Sequence, residues 1–498
     1  MAQPEPCWQW DEMNSNGSLL ALTLFLPLLG SSLIVALGRW PNLRETANLL
    51  TAASLLGFVI TLFPQVGLKE PLAFTLIEIM PGLKLAFALE PLGMLFASVA
   101  SSLWIVTAVY SIGYMRAHHE ENQTRFFVCF ALAIGTAMGI AFAANVFTLF
   151  IFYEMMTLVT YPLVTHHGTK EAVHAGRIYL GYLFSTSIGF FLFAIIWTWI
   201  LTGTLEFRPG GILAGKASNG VLGVLLALYV FGIGKAALMP CHRWLPAAMV
   251  APAPVSALLH AVAVVKAGVF SILKIIVYIF GLDMLKETGI SVWLMYVASG
   301  TILIASLIAL TKDNLKARLA YSTVSQLSYV ILGAALANTW GIVGAAMHIV
   351  MHAFGKITLF FCAGAIDVAT HKKQISEMTA IGKTMPITMV AFLIASLSII
   401  GLPPLGGSWS KWYLIMGALG ANHAILAAVL MVSSLLNIAY LMPVAVRAFF
   451  VAPTGSTTEA TIHEAPLACV IALCITAIGC LALFFFADVL YEFLIGVV

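Results

Sequence analysis

The sequence predicts an all-α polytopic membrane protein of about fourteen transmembrane helices. Three observations lead there. Of 498 residues, 61% are hydrophobic and 9% are charged, where an ordinary soluble chain is roughly 25% charged. Mean hydropathy is +1.00. Apolar runs repeatedly pass the length of about 18 residues that spans a bilayer. A chain of this kind cannot cover a water-facing surface. Its net charge of +3 and the lack of a basic run exclude nucleic acid as a partner.

Fourteen apolar segments run near 19–38, 47–64, 92–114, 126–144, 146–165, 178–202, 220–239, 254–280, 290–310, 316–337, 342–366, 385–419, 422–449 and 466–495. Residues 1–18 form a polar tail without Lys or Arg, unlike the basic start of a signal peptide, so the tail is expected to stay on the chain. Residues 19–125 supply helices 1–3. Within them, 72–89 alternates around Pro81-Gly82, which reads as a hairpin on the outer surface rather than a span. The twelfth segment is too long for one straight helix and is interrupted by Gly401-Leu402-Pro403-Pro404-Leu405-Gly406-Gly407. The seventh and eighth are separated only by Pro240 to Ala253, which holds Pro240, Pro246 and Pro252. Broken helices survive at membrane depth only where protein or a water-filled cavity satisfies the freed backbone groups.

Fourteen Lys and Arg residues fall on the loops of one side and five on the other, which predicts a cytoplasmic first side and, with an even span count, both termini outside. Of seven cysteines, Cys129, Cys241, Cys362, Cys469, Cys474 and Cys480 lie in or beside apolar segments and read as small core residues. No C-x-x-C spacing joins them.

Charges inside the spans carry the chemistry, because even on the mildest scale a charge at a helix centre costs about 2.5–3.5 kcal/mol. Six stand out: Glu154, Lys235, Lys266, Lys274, Lys356 and Lys411. Glu154, Thr157 and Tyr161 share one helical face. Lys235 ends the seventh span. An opposed Glu154–Lys235 pair would hold both groups charged, and separating it would let the lysine release a proton near neutral pH. A static pair that fixes helix contacts is the alternative.

His260 and Lys266 both lie well inside the eighth span, which favours a relay over a lone core histidine. Lys274, nearer the outer end, is placed to snorkel or to serve structure. His348, His352 and Lys356 recur at i, i+4 and i+8, a titratable ladder on one face suited to proton hopping. Metal binding by the two histidines is the competing reading, but no H-E-x-x-H accompanies them. Lys411 follows the break of the twelfth span, as part of an ion pathway or as a cap on orphan carbonyls. Ser322, Ser325 and Gln326 form a hydrophilic patch that fits a water-lined cytoplasmic opening and ordinary helix–helix bonding equally.

Taken together, Glu154, Lys235, Pro252-Ala253-Pro254-Val255-Ser256-Ala257-Leu258-Leu259-His260, Lys266-Ala267-Gly268, Leu319-Ala320-Tyr321-Ser322-Thr323 and Gly401-Leu402-Pro403-Pro404 before Lys411 resemble the antiporter-like subunits. That family includes membrane subunits of respiratory complex I, membrane-bound hydrogenases and Mrp-type cation/proton antiporters. The resemblance implies two inverted five-helix repeats, 126–280 (helices 4–8) and 290–449 (helices 9–13), with helices 7 and 12 broken and a C-terminal helix in 466–498. It implies a glutamate–lysine pair at Glu154 and Lys235, a relay at His260 and Lys266, polar residues of the eleventh helix at His348 and His352, and an exit residue at Lys411. Lys411 departs from the complex I subunit that has glutamate there, and the chain lacks the long lateral helix of the largest such subunit. Within the family it is most similar to the large membrane subunits of Mrp-type sodium/proton antiporters. That implies small and large membrane subunits as partners, protons and Na⁺ as the ions moved, a bacterial inner membrane and no cofactor on the chain itself. A proton-pumping subunit of a redox-driven complex is the alternative the same residues allow.

Overall fold

A bilayer core holds no water to satisfy backbone N–H and C=O groups, so a chain this apolar must close its hydrogen bonds within each segment. The computed structural model describes residues 17–67, 72–451 and 461–497, and they are nearly all helical. Of the expected tail, residues 1–16 lie outside the described residues. The membrane segments are α1 Gly17–Ala36, α2 Pro41–Leu62, α3 Pro91–Ala117, α4 Gln123–Ala141, α5 Val146–Val164, α6 Lys170–Thr202, α7 Asn219–Gly232, α8 Ala253–Phe280, α9 Val292–Thr311 and α10 Leu315–Ala335. They continue with α11 Thr339–Thr370, α12a Pro386–Ile400, α12b Gly407–Gly420, α13 Ala424–Phe450 and α14 Leu467–Phe485, and a short α15, Ala487–Ile495, completes the last expected span beyond a break at Phe486. Among the described residues, eleven helices are long and apolar enough to cross a membrane. The others that run through the bundle are the two broken ones, α7 and α12, and α10 with its polar stripe.

Burial sorts the helices into a centre and a lipid-facing rim. The most apolar stretch of α8 is 100% buried and that of α11 is 94% buried, against 39% for α1, α2, α6, α13 and α14. Helices enclosed on all sides are where ionisable groups can be held away from lipid. The stretch 72–89 folds as two antiparallel strands, β1 Ala73–Met80 and β2 Leu83–Ala88, turning at Pro81-Gly82 with Gly82 at φ +84°. The hairpin is fastened beside the α4–α5 junction, where the Ala88 N–H donates to the Phe142 carbonyl at 2.8 Å and the Asn145 amide donates to the Lys84 carbonyl at 2.9 Å.

The two breaks are closed by side chains and, at the second, also by backbone of α14. After α7 the chain makes a tight turn over Gly234–Ala236 and a short helix over Trp244–Ala247 before Pro252. The Trp244 indole N–H donates to the Gly234 carbonyl at 2.9 Å. In α12, the Lys411 ammonium donates to the Ile400 carbonyl at 2.9 Å, and the Gly406 N–H donates to the Cys480 carbonyl at 2.9 Å. These groups would otherwise face an apolar interior unpaired.

Close backbone approach makes the first break possible. A Cβ on Gly268 of α8 would lie 2.3 Å from the Ala236 nitrogen and 2.4 Å from the Lys235 carbonyl carbon. Gly268→Ala is therefore expected to force α8 off the Lys235 turn, a strain of about 1–3 kcal/mol. The check is the unfolding midpoint of the detergent-extracted protein, which should fall. Gly223→Ala in α7, where a Cβ meets nothing within 4 Å, should leave it unchanged or slightly raised.

Candidate functional site

Lys235 is fully buried in the α7 break and faces α5. Its ammonium donates to the Tyr153 carbonyl at 2.7 Å and to the Thr157 hydroxyl at 2.5 Å, and lies 3.2 Å from the centre of the Tyr153 ring. Its own N–H donates to the Tyr153 hydroxyl at 2.9 Å. The expected Glu154–Lys235 contact is not closed: no ion pair within 4 Å joins them among the described residues, and both Glu154 carboxylate oxygens are buried without a hydrogen-bond partner. Tyr153 and Thr157, one helical turn apart on α5, take the lysine's donors instead. Glu154 still feels the Lys235 charge and the Ser187 hydroxyl, which begins a widened π-helical turn, Ser187–Phe191, inside α6.

Lys266 on α8 reaches across the bundle to α11, where its Nζ lies 2.6 Å from His352 Nδ1. His260 is fully buried one π-helical turn earlier on α8, in Leu258–Val262, with both ring nitrogens unpartnered and its ring 4.7 Å from that of Phe360.

The periodicity of α11 suggests a ladder along one helix, but its three members engage three different neighbours. His352 meets Lys266 of α8. His348 Nδ1 lies 2.9 Å from the Ser410 hydroxyl of α12b, and the ring stacks on Tyr329 at 5.3 Å. Lys356 donates to the Ser322 hydroxyl of α10 at 2.5 Å. The two imidazoles remain near each other along the helix, with ring centres 5.8 Å apart. No cluster of three or more His, Cys, Asp or Glu that could hold a metal occurs among the described residues. Lys411 both caps α12a through the Ile400 carbonyl and reaches the Ser434 hydroxyl of α13 at 3.0 Å.

Two other sequence readings change. Lys274 does not snorkel: it is fully buried, forms an ion pair with Glu90 at the start of α3, and donates to the Ala143 carbonyl. The polar patch of α10 divides. Ser325 bonds Ser306 of α9 at 3.0 Å, which is helix–helix bonding, whereas Ser322 belongs to the lysine network. The sequence reading missed Tyr153, Ser410 and the stripe Ser433, Ser434, Asn437 and Tyr440 of α13. That stripe had a signal: polar residues at i, i+1, i+4 and i+7 inside an apolar run.

Buried amines, imidazoles and hydroxyls threaded through two broken helices define a polytopic membrane protein of the ion-translocating class. Residues 143–437 match the family described as NADH:quinone oxidoreductase/Mrp antiporter, TM, and the chain belongs to that family. It is 33% identical over 364 residues to NADH-quinone oxidoreductase subunit N of Desulforudis audaxviator (strain MP104C), covering 72% of each chain. Its fold is similar to a chain of the Mrp complex from Dietzia sp. DQ12-45-1b, with a TM-score of 0.86 at 24% identity over 97% of both chains. It is also similar to a chain of the membrane-bound sulfane sulfur reductase, an archaeal respiratory membrane complex, with a TM-score of 0.83 at 23% identity over 96% of both chains. Of other curated relatives the chain spans a smaller share, 62% of NAD(P)H-quinone oxidoreductase chain 5 of Picosynechococcus sp. (strain ATCC 27264 / PCC 7002 / PR-6) and 51% of its Synechocystis sp. (strain ATCC 27184 / PCC 6803 / Kazusa) counterpart.

The Glu90–Lys274 contact is the only carboxylate–lysine ion pair among the described residues whose lysine is fully buried. Lys274→Met leaves Glu90 unpaired and is expected to destabilise the protein by about 3–5 kcal/mol, while Lys274→Met with Glu90→Gln regains most of that loss. Unfolding midpoints in detergent for the two single variants and the double variant check it.

Proposed function

We propose that the chain is the proton-conducting subunit of a multisubunit Na⁺/H⁺ antiporter, with protons moving along Glu154, Lys235, His260, Lys266, His352, His348, Lys356 and Lys411. One observation carries this reading. Of five buried lysines, only Lys274 has a carboxylate within ion-pair distance among the described residues; Lys235, Lys266, Lys356 and Lys411 are held by carbonyls, hydroxyls and an imidazole. A scaffold stabilised by buried ion pairs would give each lysine its counter-charge, because an unpaired ammonium in a low-dielectric interior is strongly unfavourable. Neutral partners suit amines that alternate between protonated and free forms. Glu154, within reach of the Lys235 charge yet unpaired, is the group that would approach the lysine in one state and withdraw in another.

The antiporter reading draws on the likeness to the Mrp complex and on Lys411 where a complex I subunit has glutamate. Partners would be small and large membrane subunits in a bacterial inner membrane, with the loop-charge excess inside and both termini outside. Na⁺ would cross elsewhere in the assembly, since among the described residues Glu154 is the one carboxylate deep in a span and a hard cation needs an oxygen cage. A second reading, membrane subunit of a redox-driven pump, draws on the quinone oxidoreductase relatives. The same proton path serves both, because it does not record which gradient is spent.

In everted vesicles carrying the intact complex, Lys235→Ala is expected to lower proton exchange by at least about a hundredfold while the subunit still assembles; wild-type rates would sink the pathway. Gentle purification of the tagged chain with its partners separates the two readings. Small membrane subunits without flavin or iron–sulfur absorbance support the antiporter, and either chromophore supports the redox pump.

A further inference from the structure

In the second half of the bundle a line of hydrogen bonds joins two of the lysines. Lys356 of α11 meets the Ser322 hydroxyl of α10 at 2.5 Å, and Ser322 lies 2.7 Å from the Tyr440 hydroxyl of α13. One orientation of the Asn437 amide pairs four of its polar neighbours. Its oxygen accepts from Lys411 Nζ at 3.1 Å and Gln326 Nε2 at 3.2 Å, and its nitrogen donates to the Tyr440 hydroxyl at 2.6 Å and the Ser433 carbonyl at 3.2 Å. Ser322, Gln326, Asn437 and Tyr440 are all fully buried. The histidine route between the same two lysines is looser, with 5.8 Å between the rings of His348 and His352.

We propose that Ser322, Tyr440 and Asn437 are positioning residues that tie Lys356 to Lys411 and give the link between them a fixed direction. The inference rests on the proton-path reading above. Gln326 and Ser433 hold the Asn437 amide from both sides, so it cannot turn over without losing two partners. In this orientation its nitrogen donates to Tyr440, whose single hydrogen is then directed to Ser322. The Ser322 hydroxyl, already accepting from Tyr440, accepts also from Lys356 while that side chain is an ammonium and gives it its own hydrogen once the amine is free. A free amine at Lys356 completes the line with every donor matched, whereas an ammonium there leaves the Ser322 hydrogen without a partner on the line. The arrangement thus holds Lys356 ready to receive a proton while Lys411 carries one. Lys266 and His260 both bear on Lys356 from α8, and His352 lies one turn away on its own helix.

The test uses the intact complex reconstituted into liposomes with an internal pH dye and an imposed pH gradient, comparing variants at matched membrane levels. Tyr440→Phe, which removes one oxygen and keeps the ring, is expected to slow proton flux about tenfold and to raise its solvent deuterium isotope effect. Ser322→Ala and Asn437→Leu should give the same loss, and Tyr440→Phe combined with Ser322→Ala should lose no more than either alone, because the three act as one unit. Full flux with an unchanged isotope effect in Tyr440→Phe, or losses that multiply in the double variant, would overturn the inference. Lys235→Ala is measured alongside. If it abolishes flux while Tyr440→Phe does not alter it, only the link falls; if it retains flux, the pathway reading falls first.

Discussion

Absence of water in the bilayer interior is the constraint on which the rest of this structure depends. Every backbone group freed at a helix break, and every amine carried into the membrane, has to find its partner in protein. The α7 and α12 breaks are where both demands meet. Trp244 satisfies a carbonyl at the first, and Lys411 satisfies one at the second while its ammonium also reaches α13. A lysine that closes a break and stands in a polar line does two jobs with one side chain, so capping and participation in a pathway are not alternatives there.

The two halves hold their lysines differently. In the first, Lys235 is gripped by adjacent turns of one helix, through the Tyr153 carbonyl and the Thr157 hydroxyl, and the nearby carboxylate of Glu154 is left open. In the second, no carboxylate is present at Lys356 or Lys411 among the described residues; hydroxyls, an amide and backbone carbonyls from α10, α12a and α13 take that part. Lys274 is the exception that makes the pattern plain. It has a carboxylate partner in Glu90 and a carbonyl in Ala143, and it joins α3, α8 and the α4–α5 junction. That is the signature of a structural ion pair, and the other four buried lysines lack it.

A helical period says which residues share a face, but not which helix that face meets. His348, His352 and Lys356 do share a face, yet three different helices supply their partners, so the apparent ladder becomes three cross-links. The choice at Lys274 between snorkelling and a structural role has the same origin. Its position near an outer helix end suggested reach to water, while α8 proves to be enclosed on all sides and Glu90 stands against it.

Composition and period by themselves determined the membrane-spanning class, the fourteen segments, the two breaks, the hairpin at 72–89 and the set of ionisable residues inside the spans. These follow from local chemistry: hydropathy over one span length, and Gly and Pro at the points where a helix cannot continue. Only the tertiary structure decided the partners: Lys235 with Tyr153 and Thr157 rather than Glu154, Lys266 with His352, Lys274 with Glu90, and Lys356 and Lys411 on the Ser322–Tyr440–Asn437 line. The reason is physical. Each such contact joins side chains from helices far apart in the chain, and its existence depends on helix rotation and depth to within an ångström or two, a quantity no single segment encodes.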